Sequence, residues 1–402
     1  MVGSAGSGSP ELRMAIIGLG NAGCMMIPAM VKNPRVKLAA AADLDKPSLE
    51  KFQQDFQAEV HESVESLCES PNIDAIYIST PTQLHTEHVI MALEHGKHVI
   101  TEKPMALTLE DADAMIAAAQ RNSVHLVVGH SHSYETPIQR IAEIVRSGEL
   151  GPVRMMNNWY FTSWLYNPRN REELDTSLGG GVTFRQGSHQ FDILRMIGGG
   201  LVRSVRAMTG VWDEDRPTQG SHVVYLEFED GTPATAVYCG YDRFHTSEIT
   251  FGVGEQGHPA DTSEYARARK RLGTFDSSAE ESAAKAASAR YGGSSRRADP
   301  GQAPNPPFYG LTVISCEKGD IRQSQDGLIV YGPDERREIR LSTAESGRDH
   351  VIQELYDAVV SDREPLHDGR WGKANLEVCL AVLESGRERK EVYLSHQKAV
   401  PA

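Results

Sequence analysis

The chain has 402 residues, 40% of them hydrophobic and 24% charged, a composition that fits a globular protein with room for two or three domains. A formal net charge of -14 excludes nucleic acid and anionic membrane surfaces as general partners, so an anionic ligand has to be met by a local cluster of cations. Five cysteines, Cys24, Cys68, Cys239, Cys316 and Cys379, are odd in number and lack metal-ligand spacing, which suits packed thiols in a reducing compartment better than a disulfide framework or a metal site.

Residues 1–12, rich in Gly and Ser, read as a flexible leader with neither a basic start nor an apolar middle, and no run approaches the roughly eighteen apolar residues of a membrane span. A cytoplasmic location without membrane contact is the expectation. Over residues 13–145, short apolar runs at Met14-Ala-Ile-Ile, Val36 to Asp43, Ala75-Ile-Tyr-Ile, His98-Val-Ile-Thr and His125-Leu-Val-Val alternate with helical patterns, predicting a doubly wound parallel sheet. The first run leads straight into Gly18-Leu19-Gly20-Asn21-Ala22-Gly23 and a helix. That context turns a weak motif into a dinucleotide site, with glycines for a tight turn and close pyrophosphate approach. Asp43 ends the next run, where a carboxylate accepts from both ribose hydroxyls and repels a 2'-phosphate, so NAD is expected over NADP.

Ser79-Thr80-Pro81 and His85 fall at a strand end and a helix start. His85 and His88 lack a third ligand nearby, so an exposed helix face is the expectation there and no metal is expected. Glu102-Lys103-Pro104 follows the strand at His98, where the proline fixes the backbone beside an ammonium.

Residues 146–395 change texture to alternating strands with Gly turns, predicting an α+β domain with a mostly antiparallel sheet. Residues 255–307 interrupt it as a partly mobile insertion with one helix near Ser278 to Ala289. Helices at Asp349 to Val360 and Trp371 to Ser385 precede a last strand near Glu391. Within this domain Gly179-Gly180-Gly181 precede Phe184-Arg185-Gln186-Gly187-Ser188-His189-Gln190-Phe191-Asp192. The glycines would let backbone approach a ligand closely. His189 has an ordinary pKa suited to a general base, and Arg185, four residues earlier, would share its side of a helix and grip a carboxylate. Trp159 to Arg171, including Trp164 and Arg169, adds flat aromatic surface interleaved with cations, which suits an acidic ring. The bland alternative pairs Arg185 with Glu172 or Asp175 and puts the aromatics in the core.

Taken together, the glycine fingerprint, Glu102-Lys103-Pro104 and the glycine-to-His189 stretch resemble the glucose-fructose oxidoreductase and inositol dehydrogenase (Gfo/Idh/MocA) family, over residues 13–395 apart from the insertion. The resemblance implies that Lys103 and His189 are catalytic, with His189 taking a hydroxyl proton and Lys103 polarising the oxygen. It also implies that Thr80, Pro81, His85 and Glu102 lie near the cofactor, that Arg185, Arg169, Trp164 and Asp192 face the substrate, and that copies associate through the C-terminal sheet as a homo-oligomer. The family usually has an aspartate where Arg185 stands. Trp164-Leu-Tyr-x-Pro-Arg169 with the Phe-Arg-Gln-Gly-Ser-His stretch resembles its phthalate 4,5-cis-dihydrodiol (4,5-dihydroxyphthalate) dehydrogenase branch, implying a cyclic carboxylate as the small-molecule substrate. A cyclitol, sugar or sugar acid is the rival.

Overall fold

A computed structural model describes residues 10–261, 263–297 and 301–401. Six strands, β1 (Leu12–Ile17), β2 (Val36–Ala42), β3 (Glu59–His61), β4 (Ala75–Ile78), β5 (His98–Thr101) and β6 (Leu126–Val128), pair in parallel in the order β3-β2-β1-β4-β5-β6. The winding reverses between β1 and β4, and the carboxyl ends of those two neighbours open the crevice in which such sheets take their ligands. Both faces are covered, as an all-parallel sheet requires. Met14 and Ile16 of β1 pack on one side with Met30, Phe52, Val351 and Leu355, while Ala15 and Ile17 pack on the other with Val89, Leu93 and Met115. The helix Gly347–Ser361, remote in sequence, therefore returns to cover the first sheet.

The second sheet has nine strands, β7 (Val153–Phe161), β8 (Val202–Gly210), β9 (Ser221–Phe228), β10 (Pro233–Cys239), β11 (Leu311–Cys316), β12 (Gly319–Ser324), β13 (Gly327–Tyr331), β14 (Arg336–Arg340) and β15 (Val392–Tyr393). Their order is β14-β13-β12-β11-β7-β10-β9-β8-β15, antiparallel throughout except for β7 beside β10. This is the expected fold class. The helix Gly369–Glu388, capped by Asp368, packs on β8 and also against the helix Leu109–Asn122, joining the two halves.

One face of the second sheet is buried and the other is bare. Trp159 of β7 stands opposite Val237, Val237 opposite Val223, and Val223 opposite Met208, so an apolar row crosses four strands. Trp159, Val223 and Met208 are exposed, as are Met155, Tyr225 and Tyr393 on the same sheet. The insertion is ordered where it is described: helices Arg267–Leu272 and Ser278–Ala289 lie in it, the second at the expected place. Among the described residues no helix is long and apolar enough to cross a membrane. The first nine residues of the expected leader lie outside the described residues, and Leu12 already belongs to β1.

Candidate active site

The three glycines of the fingerprint do different work. At Gly18, with φ of 94°, a Cβ would meet the Ser79 carbonyl oxygen at 2.9 Å, and at Gly23 it would meet the Gly18 carbonyl oxygen at 2.1 Å. Both positions are closed by backbone. At Gly20 nothing lies within 4 Å, and the helix Asn21–Lys32 that starts beside it has no side-chain cap and no acidic residue in its first turn. Asn21 and Ala22 open that turn, whose free N–H groups and positive dipole end suit a pyrophosphate. Asp43 follows β2 and accepts the Leu19 N–H at 2.6 Å and the Asp45 N–H at 2.8 Å. Each carboxylate oxygen keeps a lone pair for a ribose hydroxyl. The residues present fit the adenosine and pyrophosphate parts of a dinucleotide.

Across the crevice, β5 delivers Glu102 and Lys103. Glu102 accepts from the buried Tyr77 hydroxyl and from the Lys103 backbone N–H (3.2 Å). Lys103 donates from Nζ to the Arg185 carbonyl at 2.8 Å, which leaves two N–H donors for a ligand. Burial lowers its pKa to about 8, against the opposing pull of Glu102. Thr80 and Pro81 form the turn after β4, and Thr80 Oγ1 lies 3.0 Å from His88 Nδ1. His85 requires a correction. It is 1% exposed rather than on an open helix face, with Nε2 2.8 Å from the Thr80 carbonyl and Nδ1 3.0 Å from the Pro104 carbonyl. Its ring ties the Thr80 turn to the Lys103-Pro104 turn and has no edge left for a cofactor.

His189 sits in the first turn of the helix Ser188–Ile197, after a π-helical turn at Thr183–Gly187 that carries the Arg185 carbonyl to Lys103. Its ring centroid is 4.4 Å from His132 and 5.0 Å from Tyr309, both near edge-on, and its Nδ1 is buried without a protein partner. Burial first, and the Lys103 charge next, hold its pKa well below the ordinary range, so the imidazole is neutral and able to accept a proton. Arg185 has no ion-pair partner among the described residues, and its buried Nε has no hydrogen-bond partner. Neither Glu172 nor Asp175 pairs with it; Asp175 instead caps the Ser177 N–H. Burial brings even this guanidinium to about 10, helped by the charge of Arg169. A largely desolvated guanidinium without an ion pair has the charge and the donors that suit an anion.

Other expectations fail at this site for packing reasons. Asp192 is fully buried, accepting the Trp371 indole N–H at 2.6 Å and facing His130 at 4.0 Å, so it braces the helix under His189 and cannot meet a substrate. The glycine triplet packs on protein rather than on a ligand: a Cβ at Gly180 would meet the Glu173 carbonyl at 2.6 Å, and one at Gly181 would meet Gln219 Oε1 at 2.4 Å. Trp164 and Arg169 line a cavity of about 330 Å³ with Tyr160, Gln186, Tyr238 and Glu255. Lys103, His189 and Arg185 are not in its wall. Arg169 stacks 4.1 Å above the Trp164 ring and spends three donors on the Trp164 carbonyl and Glu173, so it is no free substrate cation.

The sequence reading missed four groups that surround His189. His130 and His132 follow β6, and Tyr309 donates to Gln186 Oε1 at 2.7 Å. Glu255 lies 3.3 Å from His132 and accepts the Tyr160 hydroxyl at 2.9 Å. Desolvation works to raise its pKa, but these two partners hold it down at about 2, keeping a fixed negative charge beside His132. Among the described residues no cluster of three His, Cys, Asp or Glu could hold a metal.

Comparison with known proteins agrees with this geometry. A family model described as an oxidoreductase family with an NAD-binding Rossmann fold matches residues 12–130, and one described as a GFO/IDH/MocA C-terminal domain matches 138–257. The 1-carboxy-3-chloro-3,4-dihydroxycyclohexa-1,5-diene dehydrogenase of Comamonas testosteroni is 40% identical over 377 residues, spanning 94% of this chain and 95% of that protein. The chain belongs to the Gfo/Idh/MocA family. A solved structure from Bordetella bronchiseptica RB50, assigned as a dehydrogenase, superposes on this family member with a TM-score of 0.89 at 38% identity, covering 96% of this chain and all of that one. A Bordetella pertussis dehydrogenase solved with NADH and UDP-GlcNAcA has a TM-score of 0.70 at 20% identity over 96% and 98% of the two chains, a likeness of fold.

This Gfo/Idh/MocA protein is thus an NAD-dependent oxidoreductase. Asp43 predicts the direction of cofactor choice. NAD should bind roughly tenfold or more tighter than NADP, a difference of about 1.4 kcal/mol or more, and Asp43→Ala should erase most of that difference. Titration of both cofactors at fixed salt checks it; a preference for NADP, or one untouched by the substitution, contradicts the placement.

Proposed function

We propose that the enzyme oxidises a ring cis-dihydrodiol that carries carboxylate, and specifically phthalate 4,5-cis-dihydrodiol to 4,5-dihydroxyphthalate. The observation that carries this reading is Arg185, whose mostly buried guanidinium has no ion pair among the described residues and whose own backbone carbonyl accepts from the Lys103 ammonium. A relative with 40% identity is named for a carboxylated dihydroxycyclohexadiene, which supports the same substrate class.

In the proposed reaction Arg185 grips a ring carboxylate and sets the diol against Lys103 and His189. Neutral His189 takes the proton of the reacting hydroxyl, while the two free N–H donors of Lys103 orient its oxygen and balance the charge that develops there. NAD supplies the acceptor for the hydride that leaves the carbinol carbon. The resulting ring ketone loses the adjacent C–H proton and becomes the catechol, and this gain of aromaticity drives the oxidation forward. Asp192 and Trp371 hold the His189 helix, and His132 with Glu255 walls the ring.

The test follows reduced-nicotinamide absorbance across carboxylated dihydrodiols, uncharged cyclic diols, cyclitols and sugar acids, with the product identified. The highest kcat/KM should belong to phthalate 4,5-cis-dihydrodiol, with a catechol formed. Preference for a polyol or a uronate would replace this reading with the cyclitol or sugar-acid one.

We also propose that two copies associate through the bare face of the nine-stranded sheet. An apolar row of this width is larger than the scattered hydrophobics of a monomer surface. Placing a carboxylate in its middle, as in Val223→Glu, should shift the protein toward the monomer in light scattering, whereas an unchanged mass would remove this face from the assembly.

A further inference from the structure

The insertion meets both halves of the molecule, because its helix Ser278–Ala289 is held at one end by the substrate domain and just past the other by the nucleotide domain. At the substrate-domain end, Glu281 Oε1 accepts the Arg169 backbone N–H and the Arg216 guanidinium, both at 2.7 Å, and the side chains of Arg216 and Glu281 are only 6% and 12% exposed. Lys285, one turn on, pairs with Glu173. At the nucleotide-domain end, the Tyr291 N–H donates to the Leu19 carbonyl at 2.9 Å, and the Ser48 hydroxyl donates to the Tyr291 carbonyl at 2.9 Å. The Tyr291 ring packs against Phe52 and Phe56, with centroids 5.8 and 6.0 Å away, its hydroxyl donates to Asp55 at 2.6 Å, and Arg290 pairs with Asp45. From Glu281 to Arg290 the helix spans about 13 Å.

The groups that Tyr291 and Arg290 touch are not general surface. Leu19 lies between Gly18 and Gly20, with its N–H held by Asp43 and its carbonyl by the Tyr291 N–H, so this residue of the fingerprint is fixed on one side by Asp43 and on the other by the insertion. Asp45 and Ser48 belong to the start of the helix Lys46–Phe56, which follows Asp43 directly. Only an element held by both domains can touch this corner and Arg169 at once.

We propose that residues 278–296 are a strap that closes the adenosine side of the site, so that NADH leaves at a rate set by undocking of Tyr291. The measurement is stopped-flow displacement of bound NADH by excess NAD, read by nicotinamide fluorescence, with the melting temperature of each variant taken in parallel. Tyr291→Ala combined with Arg290→Ala removes the side-chain anchors at one end, and Glu281→Ala combined with Lys285→Ala removes those at the other. Either cut should speed release by about tenfold or more, and joining the cuts should add little, because a strap released at one end no longer spans; independent packing effects would add. Tyr291→Phe keeps the ring and loses only the Asp55 bond, so it should stay near the wild-type rate.

A second arm does not depend on cuts that unfold the chain. A Cβ at Gly292 would lie 3.3 Å from the Lys51 Cβ, slightly closer than the usual disulfide separation of about 3.5 to 4.5 Å, and the Gly292 φ of 71° is left-handed, so the reduced double variant, which carries the same backbone strain, is the reference for release. In Lys51→Cys/Gly292→Cys, oxidation after loading should slow NADH release at least about tenfold, and reduction should restore it. Equal release from oxidised and reduced forms, or cut variants that fold and release at the wild-type rate, would overturn the strap.

Discussion

Replacing either Lys103 or His189 by alanine should lower turnover by at least about a hundredfold, the usual scale of a positioned acid-base group, while NAD affinity stays nearly unchanged. Among the described residues neither side chain is hydrogen-bonded to the glycine fingerprint or to Asp43, and the charge of Lys103, which follows β5, acts on His189, which belongs to a different element, the helix Ser188–Ile197. Their shifted pKa values give the same prediction a sign. His189 acts as the base in its neutral form, which exists at all pH values above its depressed pKa. Lys103 acts as an ammonium, which exists below about 8. The pH profile of kcat/KM should therefore be flat around neutrality and fall as pH rises through about 8, and Lys103→Ala should abolish that alkaline limb along with most of the rate. A rate that instead climbs through pH 8 would make the neutral amine of Lys103 the base and leave His189 to orient the substrate.

Much of this frame is legible in the chain. The central strands of the parallel sheet are buried on both faces and read as unbroken apolar runs, and the glycine spacing with Asp43 locates the dinucleotide. What escaped has physical reasons. β3 is three residues long, and β8 and β14 set Arg203, Arg206, Arg336 and Arg340 on their open side, so their apolar content is low. His85 and His88 look like a helix-surface pair in sequence, but only the fold shows the Thr80 and Pro104 carbonyls meeting over His85. Asp192 was misassigned because its partner, Trp371, is far away in the chain. His130 and His132 did carry a signal, since they directly follow β6, at the ligand-binding edge of the sheet. Glu255 and Tyr309 carried none, coming from the two borders of the insertion.

Arg185→Ala should weaken a carboxylated dihydrodiol substrate about tenfold to a hundredfold. A charge-assisted, forked contact in a largely dry site contributes about 1.5 to 3 kcal/mol, which converts to that range. No acid forms an ion pair with this guanidinium among the described residues: Glu172 and Glu102 act on it only through space, Asp175 caps Ser177, and Arg169 donates to Trp164 and Glu173. Arg185→Lys should recover only part of the loss, because an ammonium cannot reproduce the fork. The carbonyl of residue 185 still holds Lys103 in both variants, since that bond uses the backbone. The chemistry at the hydroxyl is thereby kept, and uncharged cyclic diols, which offer no anion, should lose little.

The most direct measurement is therefore kcat/KM for phthalate 4,5-cis-dihydrodiol and for an uncharged cyclic cis-dihydrodiol, each with the wild type and with Arg185→Ala. The ratio of the charged to the uncharged substrate should favour the charged one in the wild type and collapse at least about tenfold on substitution. A wild type that prefers the uncharged diol, or an equal loss on both substrates, would contradict the carboxylate seat at Arg185.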